Sequence, residues 1–475
     1  MYQVPQHIDD NKIFVVKRSE IEGRLDPKMT LYNRKVTHSI YPKIKFKNIL
    51  KAKPKYGASE QGIPRTNKNE PRYIRITDIN EIGIVDYTEL GVTAKIIANE
   101  YVLNYNDILI ARSGATVGKA YIHKSAPYKC FYAGYLIRFI VDEQKALPDY
   151  IFAFTQLNTY KEWVNAIQRP SGQPNINAEE YQSLEIPLPG KDIQSKVVGI
   201  INCAYEAKKQ KESEAQHLLD SIDGYLLNVL GITLPQITKN LRSRIFLSSF
   251  EAIAGNRFDP YYHNAYFEKA FKQLKESSNY KLVRLSDIST LITSGITPKS
   301  GGEDYTDSEQ GIAFIRSGNI DIMGEVDFDN LLYIKKEIHN TRMKSSKVRE
   351  GDIMIAIVGA TIGQVGIYHS SHEANINQAI ALVRLKEGYN SEYVKEVIKS
   401  SIGQLNLDRL KRPVARANIN LEEISSMLIP VPDIKIQNEI VKSIVSIRQQ
   451  AKQLQKEGVE LLEKAKQDIE RIILG

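Results

Sequence analysis

Arg75, Thr77 and Asp78 stand in the same relative places as Arg316, Gly318 and Asn319, 241 residues further on. Arg169, Gln173 and Asn175 correspond in the same way to Arg412, Arg416 and Asn418, at an offset of 243 residues. Arg112 with Ser113 corresponds to Ile357 with Val358. Most of these are hydrogen-bonding side chains on loops, and their types change between equivalent places. Arginine can pair through two hydrogen bonds with guanine, and asparagine or glutamine with adenine, while lysine and threonine commonly hold phosphates. On that chemistry the candidate DNA contacts of the first half are Arg75, Thr77, Asp78, Arg112, Ser113, Thr116, Lys119, Arg169 and Gln173. Those of the second half are Arg316, Ser317, Asn319, Thr361, Arg412 and Arg416. A plainer reading stands beside each. An isolated arginine is usually an ion-pair partner, and Asn175 and Asn418 can cap the next helix or shape its turn. Both halves keep Asn-Ile-Asn, which favours structure over base reading at those asparagines.

Motifs suited to catalysis are incomplete. Gly114-Ala-Thr-Val-Gly-Lys-Ala120 is one residue too short for a phosphate-binding loop, and Ala120 stands where Ser or Thr should hold magnesium. The other half has Gln364 in place of Lys119. Asp259-Pro-Tyr-Tyr262 approaches the Asp-Pro-Pro-Tyr pocket of amino-methyltransferases but lacks its second proline. The first half has Asp26-Pro-Lys-Met29 there, and no glycine-rich cofactor loop lies upstream. His369 and His372 have no further histidine or cysteine nearby to complete a metal cage. Glu179-Glu180 and Glu422-Glu423 follow Asn177 and Asn420, where acids in a first helical turn favour the helix dipole.

The loops need a frame, and the chain writes one twice. Arg169-Pro-Ser-Gly-Gln-Pro-Asn-Ile-Asn177 and Ile186-Pro-Leu-Pro189 correspond to Arg412-Pro-Val-Ala-Arg-Ala-Asn-Ile-Asn420 and Ile429-Pro-Val-Pro432, with no insertion between. Arg24-Leu-Asp-Pro27 corresponds to Arg257-Phe-Asp-Pro260. Asp107-Ile-Leu-Ile-Ala-Arg-Ser-Gly-Ala-Thr-Val-Gly118 corresponds to Asp352-Ile-Met-Ile-Ala-Ile-Val-Gly-Ala-Thr-Ile-Gly363. Offsets run from 233 to 245, so loops have changed length between fixed blocks. A unit that long is a domain with its connector, not a solenoid repeat. Shared blocks with divergent loops suit a scaffold whose loops carry specificity.

Each half divides into a mixed α and β part and a long helix. Asp107-Ile-Leu-Ile-Ala111 and Asp352-Ile-Met-Ile-Ala356 are strand signals bounded by turn residues. Helical stretches are expected over 148–167 and 391–407, and the paired glycines mark tight turns or close backbone approach. Long proline-free helices are expected over 193–230 and 436–474, each on the order of 55–60 Å. Steps of four and three give one seam of Val197, Ile201, Ala204, Lys208, Lys211, Ala215, Leu218 and Ile222. The other runs Ile440, Ile444, Ile447, Ala451, Leu454, Gly458, Leu461 and Ala465. This is a coiled-coil pattern, interrupted by Lys208 and Lys211, and each helix stops at Leu-Gly. The natural partner for each seam is the other helix; the alternative is packing on its own domain.

At 475 residues the chain has room for two or more domains. A net charge of +8 and a pI of about 9.0 lean mildly toward a polyanionic partner. Only Cys130 and Cys203 occur, at unmatched places, so a disulfide framework is not expected and a reducing cytoplasm fits. No signal segment or membrane-length apolar run is legible.

Taken in order, twice over, these motifs resemble the DNA-specificity (S) subunits of type I restriction–modification systems. The carrying residues are the Arg-hydrophobic-Asp-Pro starts, the strands leading to Gly-Ala-Thr-hydrophobic-Gly, and the Asn-Ile-Asn segments. Ile-Pro-hydrophobic-Pro and then Ile193-Gln194 or Ile436-Gln437 follow. Family members often carry Glu before that Gln, where this chain has isoleucine. The stretch from Met1 to Arg24 has no clear counterpart before Arg257 except the linker. The resemblance implies an α+β chain with an internal duplication and pseudo-twofold character. Two tandem α/β target-recognition domains, at 1–190 and 256–432, would each read half of a split double-stranded DNA site. Long antiparallel coiled-coil helices at 191–231 and 433–475, with a linker at 232–255, would set the gap. Two methyltransferase (M) subunits would dock, and restriction/translocase (R) subunits would join. S-adenosylmethionine, ATP and Mg would bind those partners and not this chain, which would have no catalytic site. Competing readings are a chain of a related or modification-only system, and a coiled-coil adaptor that binds proteins and not DNA.

Overall fold

The computed structural model describes residues 15–16, 18, 27–35, 39–96, 98–168, 174–236, 245–247, 250–253, 257–321, 323–412 and 417–475. They form two compact units, Met1–Ser213 with Leu454–Gly475, and Glu214–Gln453. Each unit carries one copy of the same α+β frame.

The central strands explain their sequences. Ile108–Ala111 and Ile353–Ala356 are apolar at every position because both faces of each strand are covered. Ile108 and Ile110 join a core with Phe46, Trp163 and Tyr181, while Leu109 and Ala111 face Ile74 and Tyr132. In the second unit Ile353 and Ile355 lie with Val394 and Ile440, and Met354 faces Ile315 and Tyr368. The antiparallel sheet around the first strand has the order Lys55–Tyr56, Leu136–Phe139, Ile108–Ala111, Ala120–Ile122. Its counterpart has the order Ser289–Ser294, Ile380–Leu385, Ile353–Ala356, Val365–Ile367. Each unit adds a parallel pair: Arg72–Ile74 with Cys130–Tyr132, and Ile312–Ile315 with Ala374–Ile376. The Ile-Pro-hydrophobic-Pro segments close each frame, pairing Glu185–Pro187 with Lys43–Lys45 and Leu428–Pro430 with Leu282–Arg284.

Two helical expectations need correction. The stretch 148–167 is two helices, Pro148–Phe154 and Asn158–Ile167, because Leu157 is extended. The stretch 391–407 is likewise Ser391–Lys399 and Ser401–Leu410, broken where extended Ser400 accepts a hydrogen bond from the Ile402 amide.

The long helices run Lys191–Leu230 and Ile434–Leu474. Gly231 ends the first at φ 69°, and the Ile232 amide returns to the Leu227 carbonyl at 2.8 Å. In the first unit the start of one helix lies antiparallel to the end of the other. A Cβ on Gly458 would sit 3.4 Å from the Lys208 Cα, and Lys211 pairs with Glu457 at 2.7 Å. The lysines that interrupt the seam therefore meet a glycine and a carboxylate. Beyond Gly458 the seam shifts: Leu461 is 43% exposed and Leu462 only 3%. The reason is that Leu462, Ala465, Ile469 and Ile473 also join the globular core of their unit, which follows the straight-helix period. In the second unit Leu226, Leu230, Ile440 and Ile444 share one core with the domain. Both expected modes of packing thus occur at once. Among the described residues no helix is long and apolar enough to cross a membrane.

Candidate nucleic-acid interface

Backbone bonds bring the Gly-Ala-Thr loop and the Asn-Ile-Asn segment together in each unit. The Gly114 amide donates to the Pro174 carbonyl at 3.0 Å, and Gly359 donates to Ala417 at 3.1 Å. The Ile176 amide donates to the Arg112 carbonyl at 2.8 Å, and Ile419 donates to Ile357 at 3.0 Å. Gly118 and Gly363 turn the chain at φ 87° and 94°. A side chain at Gly118 would strike Val164 at 2.8 Å, so glycine is needed there for two reasons. Arg112, Ser113, Thr116 and Asn175 thereby share one loop cluster, as do Val358, Thr361 and Asn418.

Asn177 and Asn420, not Asn175 and Asn418, are the helix caps. Each side chain accepts from the amide three residues on at 2.8 Å, while Glu180 or Glu423 accepts from the cap amide at 2.9 Å. The cap sits one residue past the isoleucine because Asn175 and Asn418 are held in bridges to Ser113 and Val358.

The turns after the parallel strands share a shape and differ in charge. Arg75 precedes a short 3₁₀ turn and donates to Asp78 at 3.1 and 3.4 Å through its guanidinium. Arg72, buried, lies 3.7 Å from the same carboxylate. At the matching place Asn319 is buried and bonded through both its oxygen and its nitrogen. Its oxygen accepts from the Arg316 amide at 3.0 Å, and its nitrogen donates to the Asn330 carbonyl at 3.2 Å. The exposed Arg316 guanidinium has no ion-pair or hydrogen-bond partner among the described residues. Thr77 is exposed and Ser317 half-buried.

Other candidates are held within the fold. Lys119 donates to the Ile79 carbonyl at 2.8 Å and pairs with Glu81 at 3.0 Å. Thr361 donates weakly to the Val358 carbonyl at 3.4 Å. Arg412 pairs with Glu423 at 2.9 Å and donates to Asn418 at 3.3 Å. Glu423 also takes Arg257 at 3.1 Å, and Arg257 donates to the Leu410 carbonyl at 2.6 Å. The Arg-Phe-Asp-Pro motif is therefore a tie between the start of the domain and its last helix. Tyr262, the final residue of the methyltransferase look-alike, lies beneath Arg257 and Arg409. Arg24, Arg169, Gln173 and Arg416 lie outside the described residues.

Two residues were missed in the sequence. Arg112 stacks on the Tyr56 ring with its guanidinium carbon 4.9 Å from the centroid, and the Tyr56 hydroxyl accepts from the Ala178 amide at 3.1 Å. Tyr135, 64% exposed, accepts from the Arg112 amide at 3.0 Å through its carbonyl. A neighbouring buried chain runs from the Tyr87 hydroxyl to Tyr121 at 2.6 Å, and from Tyr121 to His123 at 2.7 Å. Burial pushes the His123 imidazole down to about 4, so it is neutral at physiological pH.

Residues 43–216 and 277–464, well over half of the sequence, match the family described as "Type I restriction modification DNA specificity domain". The chain belongs to that DNA specificity family. This specificity chain is 31% identical over 234 residues to the type I restriction enzyme EcoBI specificity subunit of Escherichia coli. That match covers 47% of this chain and 46%, about half, of the EcoBI subunit. The EcoKI specificity subunit of Escherichia coli is 21% identical, covering 84% of this chain and 80% of that one. The MjaVIII specificity subunit of Methanocaldococcus jannaschii is 20% identical, covering 82% and 84%. One solved chain, from work described as the structural basis of complex assembly and conformational transition of the type I R-M system, shares the fold. Its TM-score is 0.53 at 14% identity, over 91% of this chain and 96% of that chain.

Proposed function

We propose that this specificity chain reads a bipartite, interrupted site in double-stranded DNA, one half-site per copy of the frame. The observation that carries the reading is the matched backbone frame with changed loop side chains. Gly114 and Gly359 are tied alike, yet Arg112-Ser113 has become Ile357-Val358. A frame held by backbone bonds can present different side chains without refolding. On this reading the long helices fix the gap between half-sites. Two methyltransferase subunits dock on this chain, and translocase–nuclease subunits join them. S-adenosylmethionine, ATP and magnesium act on those partners, and this chain is not itself an enzyme. Arginine, lysine and threonine contacts to phosphate, Thr77 and Thr116 among them, supply salt-dependent affinity, while base-edge contacts supply sequence. The complex works in the cytoplasm, beside the chromosome.

The test is single-molecule methylation sequencing in a host without type I systems, expressing this chain with its neighbouring methyltransferase gene. A new bipartite interrupted motif is expected, and exchange of 257–432 for another such domain should change one half of it. An assembled complex that leaves no motif would refute the reading.

A further inference from the structure

We infer that the guanine-reading arginine has changed place between the two halves: Arg112 in the first and Arg316 in the second. The inference rests on the proposed DNA reading and adds what each half reads and with which residue.

Strand register fixes the correspondences. Tyr56 pairs with Ile137 as Ser294 pairs with Ala381. The Arg112 amide reaches the Tyr135 carbonyl at 3.0 Å, as the Ile357 amide reaches the Ala379 carbonyl at 2.9 Å. At one spot, then, the first half carries Tyr56, Arg112 and Tyr135, and the second carries Ser294, Ile357 and Ala379. None of Ser294, Ile357 and Ala379 is a cation or carries a ring. At the turn after the parallel strand the pattern reverses. Arg75 is neutralised by Asp78, whereas Arg316 faces an asparagine already committed to the turn.

The chemistry of the two free arginines points to a base edge. Arg112 lies over a ring, 4.9 Å from its centroid, and the hydroxyl of that ring is itself bonded by the Ala178 amide, so the guanidinium rests on a fixed platform. Its Nε is buried without a hydrogen-bond partner, and no partner among the described residues holds its terminal nitrogens. A planar fork held in place matches the O6 and N7 acceptors of guanine. A phosphate offers a similar acceptor pair, and donor geometry separates the two: lysine replaces arginine well on phosphate, whereas at the guanine edge it gives up the planar two-bond fork and with it much of the discrimination.

The test uses the full chain with its methyltransferase, comparing wild type with Arg112→Lys, Arg112→Gln, Arg316→Lys and Arg316→Gln. Methylation is mapped genome-wide, and competition binding is measured on half-site variants. Both Arg112 variants should relax one guanine in one half-site, with discrimination there falling roughly 5- to 150-fold. Both Arg316 variants should relax one guanine in the other half-site. Tyr56→Leu, which leaves the charge in place, should relax the same base as Arg112→Gln. Rescue by lysine with uniform weakening by glutamine would mark phosphate contacts and overturn the assignment. So would variants of both arginines acting on the same half-site, or no change in the motif. A wild-type complex with no bipartite motif would overturn the DNA reading as well, which separates the two failures.

Discussion

Arg448 donates two hydrogen bonds of 2.7 Å to the carboxylate of Glu396. The pair joins the helix Ile434–Leu474 to the helix Ser391–Lys399 within one unit. Glu396 is buried, and burial alone would raise its pKa. The Arg448 bonds and charge, together with the charges of Lys395 and Lys399, outweigh that and hold the carboxyl below the ordinary glutamate value. Its folded pKa being depressed, the contribution is complete above the unfolded pKa and is lost as pH falls through the folded one. Glu396→Ala should cost about 3–5 kcal/mol near neutral pH, since it strands a guanidinium. Glu396→Leu combined with Arg448→Met should recover most of that loss. Denaturant unfolding of the single and double variants checks this; additive losses would contradict it.

His123 should give a separate acid response. Its folded pKa is about 4, depressed from 6.5, so the unfolded chain takes up the proton first as pH falls. Stability is therefore full above 6.5 and declines as pH drops toward 4, by on the order of 3 kcal/mol in all. His123→Gln can still bond to Tyr121 and has no such proton to bind. Between pH 7 and 5 the native chain should lose about 2 kcal/mol more than the variant. Parallel stability curves would show that burial of His123 is not felt.

Gly458 lies against Lys208 of the other long helix in the first unit. An alanine Cβ there meets Lys208 at 3.4 Å, which is a tight but ordinary contact. Gly458→Ala should therefore leave stability unchanged or raise it by up to about 1 kcal/mol through helix propensity. Gly458→Leu should lower it by about 1–3 kcal/mol by overpacking. Thermal melts of both variants decide, and a stabilising leucine would show that the helices are not in contact there.

The gap between half-sites should follow helix length. Removing residues 205–211 and 455–461 together takes about two turns, roughly 10 Å, from each helix, and takes out Lys208 and Lys211 along with Gly458 and Glu457, which they meet. The methylated motif should then retain both half-sites and lose about three base pairs between them. An unchanged gap would refute the ruler.

The frame was legible because its signals are local. Matched glycines mark tight turns, paired acids after Asn177 and Asn420 mark a first helical turn, and apolar runs between turn residues mark strands, although the cap itself falls two residues later than Asn175 and Asn418. What each polar side chain does was not legible, because the partner decides it. Asp78 and Asn319 read alike as loop residues and both close their turns, yet only Asp78 also neutralises an arginine side chain. Tyr56 lies 56 positions before Arg112 and reaches it only through strand pairing. Leu461 lost its expected place to Leu462 because the helix end answers to a globular core as well as to a second helix.

The loop carrying Arg112 is closed by bonds between backbone atoms, and so is the loop carrying Ile357. The half-buried Arg112 side chain is not part of that closure, whereas Ile357 is buried in the core of its unit. Substitutions at the place of Arg112 escape much of the purifying pressure that folding exerts on the strands beneath. Inherited variation can accumulate at the reading positions of one half while the other half keeps its own, so a lineage can acquire a new target in single steps without passing through an unfolded intermediate.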